Sequence, residues 1–229
     1  MKSRLAVAVL LVLGSSAGLH AQSASCLDAA DEPHHHVVFE NSRVRVLMLE
    51  LSRIESTQAY CYSHPYVYIV LGEGKSSTTA EGKGTFSNDW SGSETRLVYA
   101  PEKQVVRNES GVPFRELIVE LLHGVRYNAW ENRYDDDLFP GDLGTVKPNW
   151  TVSFARGGVM FTKVQVAAGS DYSMSGHLLV ALTDLDLRSK ADGSDLTVAA
   201  QDTSELSRGS RRVFTNGGSN PARFIVIDF

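Results

Sequence analysis

One spacing occurs twice and constrains the fold more than any other feature of the chain. Asn108, Pro113 and Arg115 read N-x4-P-x-R, and Asn216, Pro221 and Arg223 read the same. An apolar run follows each, "LIVELL" after the first and "FIVIDF" after the second. Upstream of each comes a matching order: a long apolar run, a polar turn, then "YVYIVL" or "HLLVAL". Self-similarity of this kind predicts two tandem copies of one unit of about 80 residues, the second slightly shorter.

The unit is all-β. "HVVFE", "RVRVLMLEL", "YVYIVL", "TRLVYA", "QVVRN" and "FRELIVELL" are short, rich in β-branched and aromatic residues, and often alternate polar with apolar. "WTVSF", "GVMFTKVQV", "HLLVALTDLDL", "DLTVAA", "RRVFTN" and "ARFIVIDF" repeat that texture. Gly, Ser, Asn and Pro punctuate the runs, and none sustains a helical period. Many short strands with regular turns predict a sandwich or barrel, and closure removes exposed edges. Residues 122–150 are polar and turn-rich and read as a linker.

The N-terminus reads differently. Lys2 and Arg4 precede the apolar run Leu5 to Gly14, which is too short to span a bilayer comfortably. Small residues follow, with a cleavage site after Ala21. This is the pattern of a secretory signal peptide. The expected organisation is a signal peptide over 1–21, a flexible leader over 22–35, a domain over 36–122, a linker over 123–149 and a second domain over 150–229. The protein is then exported, periplasmic or secreted, with no other apolar run long enough for a membrane span.

A net charge of −5 argues against nucleic acid as a partner, because phosphate binding needs a basic face. The two cysteines, Cys26 and Cys61, can pair in an oxidising compartment. The alternative is a buried thiol at Cys61 and a free Cys26 in a loose tail. A phosphate loop and a CxxC pair are both absent from the sequence. The run His34 to His36 reads as a solvated entry to the first strand, with surface metal capture as the alternative. "YDDDLFPGD" lacks the spacing of a calcium loop.

The stretch "QAYCYSHPY", Gln58 to Tyr66, has the spacing of a metal site without the residues of one. With "HHHVVFENSRVRVLMLEL" before it, the chain resembles the cupin superfamily, as a bicupin. The resemblance covers about His36 to Leu122 and Trp150 to Phe229. It implies two tandem jelly-roll β-barrels, and in the family three histidines and a glutamate hold one metal inside the barrel. Carried onto this chain, the paired-histidine places fall on Tyr60 and Tyr62, the glutamate place on Val67 and the third histidine place on Gln104. In the second copy they fall near Asp171, Ser173, Leu178 and Arg212. No four-ligand set survives in either copy, so no metal cofactor is expected.

A barrel interior can still bind something. Tyr60, Tyr62, His64 and Gln104 are expected to line one interior, and Ser173, His177 and Arg212 the other. His64 shares a strand face with Tyr60 and Tyr62 if the strand runs on. Phenol, imidazole and amide groups suit a small polar molecule or an anion. Tyr60 and Tyr62 can equally be aromatic filling. Arg212 needs a carboxylate or phosphate, from a ligand or from Asp171 in a plain internal ion pair. The expectation is a non-catalytic binder of a small polar or anionic ligand. The alternatives are an isomerase- or dioxygenase-like cupin enzyme with an unconventional site, and a scaffold or oligomerisation module. A homodimer is a further expectation.

Overall fold

The computed structural model describes residues 26–99, 103–123, 148–206 and 211–229. The expected signal peptide, most of the expected linker and "YDDDLFPGD" lie outside them. The described residues are strands and turns, with one short 3-10 turn at Ala29–Asp31.

The first half contains β1 (Leu27–Asp28), β2 (His35–Glu40), β3 (Val44–Leu51), β4 (Tyr60–Cys61) and β5 (Tyr66–Val70). It continues with β6 (Glu73–Ala80), β7 (Gly84–Ser91), β8 (Thr95–Val98), β9 (Gln104–Asn108) and β10 (Phe114–Leu121). These form two facing sheets, β2-β3-β10-β5-β8 and β1-β4-β9-β6-β7.

The second half contains β11 (Trp150–Arg156), β12 (Val159–Val166), β13 (Asp171–Met174), β14 (Leu178–Ala181) and β15 (Leu185–Ser189). Then come β16 (Asp195–Val198), β17 (Thr203–Glu205), β18 (Arg212–Asn216) and β19 (Ala222–Asp228). Its sheets are β11-β12-β19-β14-β17 and β13-β18-β15-β16. Strand for strand, the order repeats that of the first half without a counterpart of β1. Each half is a jelly roll of two packed sheets.

The repeated asparagine explains why the motif recurs. Asn108 is fully buried, and its Nδ2 donates to the carbonyls of Ser52 (2.9 Å) and Val112 (2.8 Å). Asn216 is also buried, and its Nδ2 donates to Val166 (3.0 Å) and Asn220 (2.9 Å). Each Oδ1 accepts an amide two residues on, from Ser110 or Gly218. One side chain thus clips the last hairpin of each copy to the end of the long strand before it. A buried amide satisfied from both ends is hard to replace.

The sheets β2-β3-β10-β5-β8 and β11-β12-β19-β14-β17 are the larger of each half by residues, and their strands β3, β5, β10, β14 and β19 are nearly continuous apolar runs because both of their faces are covered. On β3, Leu47, Leu49 and Leu51 point into the first half, while Val44, Val46 and Met48 face the second. That outward face meets Phe161, Leu178, Val180, Ile225 and Ile227 in a core shared by both halves. Each such side chain contributes about 1.5–3 kcal/mol on full burial. Polar contacts frame this shared core. Lys163 Nζ reaches Ser93 Oγ at 2.8 Å, and Arg115 bridges Glu50 (2.7 Å) and Asp202 (3.1 Å). Ser93 and Gln201 stand at matching turns, both with positive φ, 74° and 69°. The Gln201 side chain covers Gly72 so closely that a Cβ there would sit 2.5 Å from its Nε2.

The leader expectation needs correction over its last ten residues, 26–35. Leu27–Asp28 pairs in parallel with Tyr60–Cys61, and Cys26 is disulfide-bonded to Cys61. Asp28 accepts from Arg45 Nη2 at 2.8 Å and from Ser63 Oγ at 3.0 Å. A covalent tie and these bonds hold a segment whose polar sequence reads as loose. Nor is the histidine run a solvated entry. His35 is buried and His34 is half-buried, leaving His36 alone exposed.

Candidate functional site

The first half encloses a cavity of about 230 Å³. Its main walls are Tyr66 and Tyr68 from β5, Trp90 from β7, Arg96 from β8, Gln104 from β9 and Glu116 from β10. Strand alternation puts them there. Arg96 lies directly opposite Tyr68 across the β5–β8 pair, and Glu116 lies opposite both Leu49 and Val70. Smaller groups on β6, including Ser76 and Thr78, leave the space open.

The aromatic part is fixed. Trp90 Nε1 donates to Ser76 Oγ at 2.8 Å. Tyr68 meets Trp90 edge to face with ring centroids 6.2 Å apart, and the Arg96 guanidinium lies over the indole at 5.0 Å. Such a cation–π contact holds the guanidinium without consuming its N–H donors.

The charged part is not spent internally. Arg96 Nε is buried and has no hydrogen-bond partner among the described residues. Burial pushes Glu116 up to about 8, opposed by the charge of Arg96, and no hydrogen bond supports its ionised form. Glu120 lies four residues along the same strand, fully buried but engaged by Arg45 Nε and by the Ser63 amide. At neutral pH Glu116 is mostly protonated and the cavity carries one positive charge.

Behind Gln104 runs a line of buried polar groups. Gln104 Nε2 donates to the Tyr60 hydroxyl at 3.0 Å. Tyr60 and Tyr62 meet edge to face, 5.4 Å between centroids. The Tyr62 hydroxyl is 3.2 Å from His35 Nε2, and His35 Nδ1 is 2.8 Å from Glu32 Oε2. Glu32 Oε1 is 2.8 Å from His34 Nδ1, whose Nε2 reaches Glu55 at 3.1 Å. Burial raises the Tyr60, Tyr62 and Tyr66 phenols well above their ordinary range.

Of the residues singled out in the first copy, only Gln104 lines the cavity. Tyr60 and Tyr62 are fully buried behind it. β4 ends at Cys61, so His64 sits in the bend before β5 and not on the face of Tyr60 and Tyr62. Val67, the glutamate place, faces the other half in the shared core. The metal site of the fold does not fit here. Its two central places hold neutral, buried phenols already tied to Gln104 and His35. Among the described residues, no three His, Cys, Asp or Glu side chains are grouped to hold a metal ion.

In the second copy the residues singled out do not converge. Ser173 Oγ accepts from Arg211 Nε at 2.6 Å. His177 stacks on Phe229 at 4.7 Å, sits 2.7 Å from Asp228 Oδ1 and accepts the Phe229 amide, at the edge of the shared core. Asp171 engages Lys190 and Thr215, so the expected pair with Arg212 does not form. Arg212 lines a smaller cavity of about 170 Å³ beside Asp195 and Glu205.

The sequence reading missed Arg96, Glu116, Trp90 and Tyr68. One signal was present: Glu116 and Glu120 are acids inside the otherwise apolar "FRELIVEL". Charges in a run buried on both faces demand partners or a cavity.

No protein-family model matches the chain, and no curated protein matches it. Solved structures do. A cupin 2 conserved barrel domain protein from Leptotrichia buccalis superposes with a TM-score of 0.55 at 11% identity, covering 84% of this chain and 86% of the other. YhaK from Escherichia coli gives 0.54 at 12% identity, covering 90% and 98%. A variant of Bacillus subtilis oxalate decarboxylase gives 0.53 at 11%, covering 85% and 71%. The fold is that of a bicupin. At these identities the likeness extends to the bicupin fold and carries no activity. Among the described residues, no helix is long and apolar enough to cross a membrane.

Proposed function

We propose that the first jelly roll is a binding cup for a small organic anion, with Arg96 as its anchor. The observation that carries this is a guanidinium held over Trp90 with a buried Nε that no described residue satisfies. A guanidinium held in this way wants a carboxylate. Aromatic walls around a few convergent polar groups are the usual build of a small-molecule site. An engineered cavity of about 150 Å³ already admits benzene, so about 230 Å³ leaves room for a ring carrying a carboxylate. The second half serves as the wall that covers the other face of the larger sheet.

The test is calorimetric titration of the purified protein with benzoate and small aliphatic carboxylates, repeated with Arg96→Met. Binding that needs Arg96 supports the cup. Equal binding by the variant, or none by either protein, defeats it.

A second reading rests on Glu116, whose titration near 8 suits general acid–base work on a bound ligand. Deuterium incorporation into a bound ligand, absent with Glu116→Gln, is its signature.

We also propose that the protein is exported. The Cys26–Cys61 disulfide supports this, because such bonds persist in oxidising compartments.

A further inference from the structure

The line of buried groups behind Gln104 has a direction, and it can be worked out link by link. Glu32 is 1% exposed. Burial alone would raise its pKa. Hydrogen bonds from the His34 and His35 rings and from the amides of Gln58 and His34 outweigh that and hold it below the ordinary value. It is therefore a carboxylate, which only accepts. His35 must then carry a proton on Nδ1, facing Glu32 Oε2.

Burial also pushes the His35 imidazole down, so the ring is neutral and its Nε2 is bare. A bare nitrogen accepts, so the Tyr62 hydroxyl donates to it. His35 also lies edge to face against Tyr60, ring centroids 4.6 Å apart. Tyr60 oxygen in turn accepts from Gln104 Nε2. An amide whose nitrogen is turned toward Tyr60 turns its oxygen away, toward the cavity that Gln104 lines.

We propose that this line makes Gln104 a specificity-determining acceptor, so that the cavity takes small planar carboxylates that also carry an O–H or N–H donor. The proposal rests on the anion-cup reading above and adds a second requirement to it. Glu32 and His35 act as positioning residues through Tyr62 and Tyr60. They sit on the segment that the Cys26–Cys61 bond fastens to β4, so the N-terminal strand belongs to the site without touching the ligand. A ligand without a donor offers Gln104 Oε1 nothing to accept, which sites built to hydrogen-bond a substrate penalise strongly.

The experiment compares benzoate with its three hydroxylated isomers by calorimetry, using the full chain and two variants. In the natural protein at least one hydroxybenzoate should bind about tenfold or more tightly than benzoate. Gln104→Met should bring that ratio close to unity. His35→Phe should reduce the ratio and leave benzoate unaffected. A ligand-free readout stands beside these: nitrogen NMR shifts should show His35 as the neutral Nδ1–H tautomer at about pH 8.

A ratio near unity in the natural protein, a ratio that survives Gln104→Met, or an Nε2–H tautomer at His35 overturns the inference. If benzoate still binds through Arg96 in that case, the cup stands and only the donor requirement falls. Absence of binding by every carboxylate overturns both.

Discussion

The two halves repeat each other strand for strand but differ in what their smaller sheets enclose. In the first, Trp90, Tyr66 and Tyr68 surround Arg96 and Glu116, which no hydrogen bond from the described residues claims at Nε or at the carboxyl. In the second, the cavity is smaller and sets Arg212 beside Asp195 and Glu205. The first smaller sheet also has an extra strand, β1, tied by a disulfide, which the second lacks among the described residues. On the anion-cup proposal, a duplicated fold keeps its frame in both copies and its ligand chemistry in one. The frame is held by groups that both copies retain, such as Asn108 and Asn216. The chemistry depends on side chains at frame positions where any residue would fold.

The sharpest way to break the comparison is to cut the feature that only one half has. Replacing Cys26 and Cys61 with serine opens a tie between residues 35 apart, and should cost about 3–4 kcal/mol. Urea denaturation checks this, and carboxylate binding should weaken together with stability because Glu32 and His35 lose their anchor. Full stability after the substitution would mean that β1 is an ornament.

The next effect probes what the halves share. Asn108→Ala and Asn216→Ala should each destabilise by about 2–3 kcal/mol, since each strands buried carbonyls and amides. Similar losses in denaturation would support one role repeated. A loss in only one copy would reduce the repeat to a resemblance of shape.

Arg96→Met should weaken benzoate binding about 10- to 100-fold. Arg212→Met should leave it unchanged. The reverse pattern in calorimetry would move the site to the second half.

The smallest effect is the pH response. Glu116 has a folded-state pKa of about 8 against an ordinary 4.5. Between these values the folded protein binds more protons than the unfolded chain, so this group's stabilising contribution is full below 4.5 and is lost as pH rises through 8. Melting temperatures of Glu116→Gln should therefore gain on the natural protein as pH climbs toward 9. Anion affinity of the natural protein should be flat near neutrality and fall about tenfold per pH unit above 8 at most. A flat profile in both proteins would show that Glu116 does not titrate there.

The repeat made the frame legible in the sequence, because N-x4-P-x-R marks a turn whose asparagine has a fixed job. The apolar runs of β3, β5, β10 and β19 were legible as strands for the same reason that they are buried on both faces. β6 and β7, "EGKSSTTA" and "GTFSNDWS", were not. Their inward residues border a cavity, and small polar groups there give no apolar alternation. "QAYCYSHPY" was legible as an address but not as a function. Tyr60, on β4, and Tyr62, just beyond it, are buried and support Gln104 from behind. Arg96 and Glu116 were missed because the family pattern directs attention to other strands.

The shared core also bears on how the chain can associate. Each larger sheet presents a broad apolar face, and each such face is closed by the other half. A single jelly roll of this kind, produced alone, would expose that face and require a second molecule to cover it. Here the second molecule is encoded in the same polypeptide, in a fixed one-to-one ratio and at an effective concentration that no dilution lowers. A homodimer of the whole chain would have to be built on some other surface.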